Sequence, residues 1–189
     1  MAQTDISLAS TALIRIGAAP ITSFEDGTAR AEIAGALYGP TRDALLSAYA
    51  WNFATGQTSL VKLSTPPLAD FANAFQVPNN FLRALSAGTG PRSRGIEYRL
   101  STDQLHTNSE TAVLTYIFRP DEQTFPAYFN QALIARLSAE FTIPVTENTS
   151  RGEAMFRLAE NEFQKARQID AQQDTPDRIE NFNLIDIRY

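Results

Sequence analysis

The side chains that most often carry catalysis or bind metals are scarce in this sequence. The chain of 189 residues contains one histidine, His106, and no cysteine. A zinc site, a Ser-His-Asp triad or a Cys-His pair would each need His106 as its sole imidazole. His106 lies in the polar run TDQLHTNSE, which is typical of an exposed loop or an edge strand. The sequence therefore predicts no metal, no cofactor and no catalytic residue.

Two further patterns resemble parts of enzyme sites without predicting one. The Gly-Thr-Gly run at 88–90 resembles the start of a phosphate-binding loop, but no Gly-Lys-Ser/Thr follows it and no helix is predicted to begin there. The acidic pairs Glu25-Asp26 and Asp121-Glu122 each stand beside a predicted helix start. Capping and the helix dipole account for acidic residues at such positions. We expect no enzymatic activity.

One group of basic residues surrounds the glycine-rich loop at 88–95. It comprises Arg83, Arg92, Arg94 and Arg99. Two interpretations stay open, namely an ordinary solvated loop and a contact to an acidic partner, either protein or nucleic acid. The formal net charge of −5 argues against a protein that grips duplex nucleic acid, because such proteins usually carry a basic excess.

The composition indicates a folded chain. Hydrophobic residues make up 43% of it and charged residues 20%, which is ordinary for a protein that buries a core. The length fits one domain, or one domain with an insertion. No apolar run approaches the roughly 18 residues of a membrane span. The first residues also lack the pattern of a signal peptide, so no membrane partner is expected.

Apolar residues at three- and four-residue spacing predict four helices. They span about residues 5–16, 28–49, 124–141 and 150–173. Gly39-Pro40 is expected to kink or divide the second helix, and Ile143-Pro144 to end the third, because proline lacks an amide donor and clashes with the preceding turn. The inner stripe predicted for the fourth helix consists of Phe156, Ala159, Phe163, Ala166 and Ile169.

Between the second and third helices the apolar period changes to two, which predicts strands. We place them at about residues 53–63, 73–77, 82–86, 96–100 and 111–118. In the last of these strands both alternating sets of side chains are largely apolar or aromatic, from Val113 to Phe118. This strand is therefore predicted to be covered on both faces.

The predicted fold class is α+β, with an antiparallel four-helix bundle and an inserted antiparallel β subdomain between helices two and three. Residues 1–51 would supply the first two helices of the bundle and residues 52–119 the β subdomain. Residues 120–176 would supply the last two helices, and residues 177–189 a C-terminal arm.

The arm is unusually apolar for a terminal segment, which is normally polar and frayed. Its large apolar side chains are Ile179, Phe182, Leu184, Ile185, Ile187 and Tyr189. Something must cover them, either the bundle of the same chain or a neighbouring subunit. Together with the four arginines, these six residues are the candidate partner contacts.

The stretch from Tyr38 to Leu63 joins the second helix to the first strand and holds the single tryptophan, Trp51. A tryptophan at such a junction buries a large area and fixes the angle between the two elements. We therefore expect a structural core made by Trp51, Phe53, Tyr38 and Pro40.

Several short motifs in this chain resemble a known family. They are Ala12-Leu13, Ile16-Gly17, Pro20-Ile21, Ser23-Phe24, Ala29-Arg30, Tyr38 to Asp43 with Leu45-Leu46, Trp51-Asn52-Phe53-Ala54, Ala74 to Pro78, and Phe81-Leu82-Arg83. With the order of helices, sheet and helices, they resemble the head-to-tail adaptor proteins of tailed bacteriophages, specifically the tail tubular protein A type of short-tailed phages. The chain departs from the Tyr-Pro-x-x-Arg-Asp element in one respect, because Gly39 stands between Tyr38 and Pro40.

The resemblance implies a structural virion protein. Such adaptors form a homo-oligomeric ring, usually dodecameric, that joins the portal protein to the tail nozzle, which contains a tubular protein B-like protein. Genomic DNA passes through the lumen during ejection without specific binding. The protein would be made in the host bacterial cytoplasm and reside in the tail or neck of the virion.

Other functions stay open at this point. One is a head-completion or connector protein of a long-tailed phage or gene-transfer particle. A nucleic-acid-binding module built on the arginine-rich loop is another, which the net charge argues against. A small hydrolase is a third, which the lack of a nucleophile and base argues against.

Overall fold

The computed structural model describes residues 3–89 and 94–174. In this part of the chain the helices are α1 (Asp5–Arg15), α2 (Ala29–Ala48), α3 (Ala127–Thr146) and α4 (Thr149–Ala171). The strands are β1 (Thr55–Ser59), β2 (Val61–Lys62), β3 (Asn73–Gln76), β4 (Phe81–Gly88), β5 (Tyr98–Ser101), β6 (Gln104–Thr107) and β7 (Val113–Phe118). These strands all lie between α2 and α3 in the sequence.

The strands form two antiparallel sheets. The inner sheet has the order β1-β7-β4, and the outer sheet has the order β2-β3-β6-β5. The inner sheet lies between the helices and the outer sheet, because its two faces belong to two separate apolar cores. The chain is thus layered as helices, inner sheet and outer sheet.

Strand β7 is covered on both faces, as its sequence predicts. Ile117 is fully buried in the core shared with the helices. Leu114 and Tyr116 point the other way and pack with Phe75 and Leu105 of the outer sheet. Successive side chains of a strand point to opposite faces, so one strand contributes to both cores.

The helices do not form the four-helix bundle that the sequence predicts. Helix α3 packs against each of the other three helices, most extensively against α4. Helix α2 also contacts β4 of the inner sheet, and Leu82 and Leu85 of β4 pack against the helical core. The inner sheet therefore covers apolar helix surface that a bundle would bury between helices. The fold is mixed α+β with two sheets.

Helix α4 meets α3 through a row of small, buried residues. Gly152, Ala159 and Ala166 are spaced seven apart, which places them on one side of the helix. Small side chains let two helices approach closely. A Cβ atom added at Gly152 would lie 2.8 Å from Cγ1 of Ile143 on α3.

Because this seam is narrow, the larger residues predicted for the inner stripe of α4 are incompletely covered. Phe156 and Phe163 are half-buried, and Ile169 is 43% exposed. Leu158 on the same helix is also exposed. The periodic pattern correctly predicts a helix, but the small residues decide which side packs.

Helix α3 does not end at Ile143-Pro144, contrary to the sequence prediction, and Gly39-Pro40 does not divide α2 in two. Helix α2 continues through Pro40, and α3 continues through Pro144 to Thr146. Pro40 follows Gly39, which has no Cβ to clash with the proline ring. Both prolines are exposed, so water can reach the backbone around each of them. Pro144 also lies in the last turn of α3, so few backbone hydrogen bonds of the helix remain to be formed after it.

Strand β6 is an element that the sequence analysis did not predict, whereas β5 overlaps the strand predicted at about residues 96–100. Leu105 and Thr107 of β6 are buried, whereas Gln104 and His106 alternate with them and are half-buried. Strand β6 pairs with both β3 and β5, so His106 is neither in a loop nor on an edge strand. The Nε2 atom of His106 lies 3.2 Å from Oε1 of Gln104.

Candidate functional site

Trp51 lies at the point where three helices meet the first strand. It follows α2 directly, and its side chain is fully buried. The indole N–H donates a hydrogen bond of 3.1 Å to the carbonyl of Leu45. Tyr49, Phe129 and Phe163 pack edge-on against the ring, so residues of α3 and α4 contact it directly. Edge-to-face packing of this kind stabilises beyond the buried area alone.

Phe53 extends the aromatic cluster around Trp51 toward the sheets. It lies in the short 3-10 turn between α2 and β1 and packs edge-on against Phe125 and Phe129, with ring centroids 6.0 and 4.9 Å away. Phe53 and Tyr38 both pack in the helical core, as predicted. Pro40 does not. Helical residues advance by about 100° each, so Pro40 faces almost opposite to Tyr38 and is exposed.

A network of charged groups joins α2 to the segment after β7. Arg119 donates from Nε and Nη2 to the two carboxylate oxygens of Asp43, at 3.0 and 2.5 Å. Arg42 donates to Asp43 at 3.0 Å and to Glu122 at 2.5 Å. The hydroxyl of Tyr38 donates to the same Glu122 oxygen at 3.4 Å. We call these five residues the Asp43 network.

The network shifts the pKa values of Asp43, Arg42 and Tyr38. Burial alone would raise the pKa of Asp43, but hydrogen bonds from Arg119 and Arg42 outweigh it and hold this pKa below its usual range. Burial opposes the charge on Arg42 as well, yet Glu122 and Asp43 raise its pKa. Burial and the nearby Glu122 carboxylate raise the pKa of Tyr38. At neutral pH the two carboxylates are satisfied within the fold, which is typical of a structural joint.

Asp170 is a second polar anchor, and the sequence analysis did not single it out. Its side chain is fully buried near the end of α4. It accepts hydrogen bonds from the backbone N–H of Asn52 at 3.0 Å and from the hydroxyl of Tyr128 at 2.7 Å. Burial and this carboxylate together raise the pKa of Tyr128. One sequence signal could have identified Asp170. It stands four residues after Ala166 and therefore on the buried side of α4.

The described members of the predicted arginine group lie on different elements. Arg83 lies on β4 of the inner sheet, whereas Arg99 lies on β5 of the outer sheet. Arg99 donates to Asp70 at 2.6 Å and lies over the ring of Phe71. Arg94 stands before β5, and Arg92 lies outside the described residues. The ion pair with Asp70 offsets part of the positive charge on which a nucleic-acid contact would depend.

The six apolar arm residues, from Ile179 to Tyr189, also lie outside the described residues.

Of the two acidic pairs, Asp121 caps the turn before α3 by accepting from the N–H of Gln123, as predicted. Asp26 instead accepts from Thr22. Glu122 belongs to the Asp43 network.

An open apolar groove runs between α2 and α4, above α3. Its volume is about 450 Å³. Its walls are Leu37, Pro40, Thr41, Ala44, Leu45 and Ala48 of α2 and Ala159, Glu160 and Phe163 of α4, with Arg136 and Glu140 of α3 as its floor. The groove exists because both α2 and α4 pack against α3. We call it the α2–α4 groove.

Neither a candidate metal site nor a candidate membrane-spanning helix occurs among the described residues. Within residues 3–89 and 94–174, no three histidine, aspartate or glutamate side chains come together as a possible metal site. In the same part of the chain, no helix combines the length and apolar character that crossing a bilayer requires.

Comparison with protein-family models and with curated proteins finds no match to this chain.

Proposed function

We propose that this chain is a structural virion protein, a head-to-tail adaptor that joins the portal to the tail nozzle and extends the DNA channel. The proposal rests on the contacts made by the residues whose motifs resemble the adaptor family. Arg42 bonds Asp43, and all three of Tyr38, Arg42 and Asp43 bond Glu122 or Arg119 in the segment after β7, while Trp51 and Phe53 link the helices. These motif residues therefore serve a rigid joint, as expected of a component that holds its shape in an assembly.

Uncovered apolar surface supports a homo-oligomer with further partners. Leu158 and Ile169 of α4 are 37% and 43% exposed, Val61 of the outer sheet is 72% exposed, and Leu68 in the loop after β2 is fully exposed. Single exposed apolar residues are common, but here they accompany an open apolar groove. In the proposed ring, such surface is where adjacent subunits, the portal and the nozzle protein would bind.

The proposal includes no catalytic activity and no specific contact with DNA. The net charge of −5 suits a channel wall that DNA passes without adhering, and Arg99 is paired with Asp70. Filter binding of duplex DNA at physiological salt should show negligible retention. Tight retention would instead favour the nucleic-acid-binding module.

The decisive experiment is quantitative mass spectrometry of gradient-purified particles from the source phage. The chain should be present at the copy number of the portal protein, and cross-linking should join it to the portal on one side and the nozzle on the other. Cross-links to the portal and to a long tail tube would favour the connector alternative. If the chain is abundant in infected cells but missing from particles, the structural proposal is wrong.

A further inference from the structure

The charged side chains that line the α2–α4 groove each have a hydrogen-bond or ion-pair partner among the described residues. Arg136 forms an ion pair with Glu140 at 2.8 Å and lies over the ring of Phe156. Glu160 accepts a hydrogen bond from Gln164 at 2.8 Å. Most of the remaining lining residues are aliphatic or aromatic. An apolar ligand entering the groove would therefore leave these charged groups partnered.

The end of α4 lies at one mouth of this groove. Asp170 bonds the backbone of Asn52 at 3.0 Å, four residues after α2 ends at Ala48. The chain that follows α4 therefore starts beside the end of α2, where one wall of the groove also ends. That chain carries six large apolar residues within positions 177–189.

Length permits the chain to return along the groove. The α2 wall from Leu37 to Ala48 is about 16 Å long, at about 1.5 Å per helical residue. The fifteen residues from 175 to 189 reach about 50 Å when extended. A tether this short holds the segment near its own groove at an effective concentration in the millimolar range, above that of a second copy in dilute solution.

We propose that residues 177–189 of the same chain occupy the α2–α4 groove in the free protein. Their apolar side chains cover Leu37, Ala44 and Phe163, and the groove covers them in return. This inference does not depend on the virion role, because it follows from the groove, the position of the end of α4 and the composition of the segment.

Disulfide trapping in the full-length protein tests the proposal, because the chain has no native cysteine. One cysteine replaces Asn181, Asn183 or Asp186 in turn, and the other replaces the exposed groove residue Ala44. The control pairs use Asn161→Cys, which is exposed on α4 and lies about 200° around the helix from Phe163. Mild oxidation is followed by non-reducing electrophoresis and mass spectrometry.

At least one segment position should cross-link to Ala44→Cys within a monomer, about tenfold faster than to Asn161→Cys and at a rate independent of protein concentration. Phe182→Ser with Ile185→Ser should remove that difference if apolar contact holds the segment.

Equal rates for groove and control pairs would overturn the proposal, as would trapping that survives the serine substitutions. Cross-linked dimers as the main product would show that a second copy fills the groove, and no trapping at all would leave the groove to another partner. Either result would also overturn it.

Discussion

At the scale of single residues, the polar groups that matter in this protein bond one another. Asp43 and Glu122 face arginines, and Asp170 caps the backbone at Asn52. The sequence predicted an absence of catalytic groups from the shortage of histidine and cysteine. It could not predict the Asp43 network, because Asp43 and Arg119 are 76 positions apart and only the fold brings them together.

Asp43→Asn should lower the free energy of unfolding at neutral pH by about 1–3 kcal/mol, because it leaves Arg119 without its carboxylate and Arg42 with Glu122 alone. The folded-state pKa of Asp43 lies below its unfolded value. Its stabilising effect is therefore complete above the unfolded pKa of about 4 and is lost as the pH falls through the folded pKa. The difference between variant and parent should shrink in that acidic range.

Urea titrations from neutral to acidic pH would measure this difference. The exposed Glu25 provides a matched control, since Glu25→Gln should change stability by less than about 0.5 kcal/mol. A loss for Asp43→Asn that stayed constant across the acidic range would contradict the assigned role.

Asp170→Ala should cost about 1–3 kcal/mol of stability, because it leaves the amide of Asn52 and the hydroxyl of Tyr128 without their acceptor. Asp170→Asn keeps one carbonyl acceptor and should cost less. Denaturant unfolding of these variants, with Tyr128→Phe in a double-mutant cycle, measures the coupling. Strictly additive losses for Asp170 and Tyr128 would show that the hydrogen bond contributes nothing.

At the scale of elements, the sequence predicted all four helices, and the structure corrects their ends and their packing. Helical periodicity depends on the local sequence, and it is strong in α1 and α4. Of the two outcomes predicted at Pro40, a division of α2 does not occur, because Gly39 lacks a Cβ atom and that side of the helix is exposed. Strand β6 was missed because its polar residues Gln104 and His106 suggested a loop, although Leu105 and Thr107 between them are buried.

The seam between α3 and α4 predicts an effect at Gly152. Gly152→Ala should destabilise the protein by about 1–3 kcal/mol through overpacking, since the new methyl group would lie 2.8 Å from Cγ1 of Ile143. Adding Ile143→Ala should recover part of that loss by removing the obstructing atom. Thermal and urea unfolding would measure both variants.

Gly35→Ala on α2 is the control for added helix propensity. Its new methyl group would come no closer than 3.4 Å to Phe24, so stability should stay the same or rise slightly. If Gly152→Ala behaved like Gly35→Ala, close approach at the seam would not be what limits residue 152.

At the scale of the whole molecule, the predicted bundle was wrong because the sequence pattern shows that a helix has an apolar side but not what covers it. Ile117, Leu82 and Leu85 of the inner sheet pack in the helical core, so strands do part of the covering. The narrow seam leaves α4 and the groove with apolar surface, which is where we expect assembly contacts.

Segment 177–189 is the natural test of assembly. Deleting it should leave a folded monomer by circular dichroism but abolish ring formation with the portal, because its apolar residues are the proposed contacts. Phe182→Asp with Ile185→Asp should have the same effect. The control Asn181→Asp with Asn183→Asp adds equal charge to polar positions and should assemble normally. Electron microscopy of the mixtures distinguishes these outcomes, and rings of unchanged yield from the deletion would contradict the idea.

Strand β7 has a mechanical consequence. Its alternating side chains belong to two cores at once, so the outer sheet cannot tilt relative to the helices without disturbing Ile117 in one core and Leu114 in the other. A load applied to the outer sheet therefore passes to the helices through the inner sheet, where β4 also contributes side chains to both cores. The inner sheet thereby couples the outer sheet mechanically to the helices.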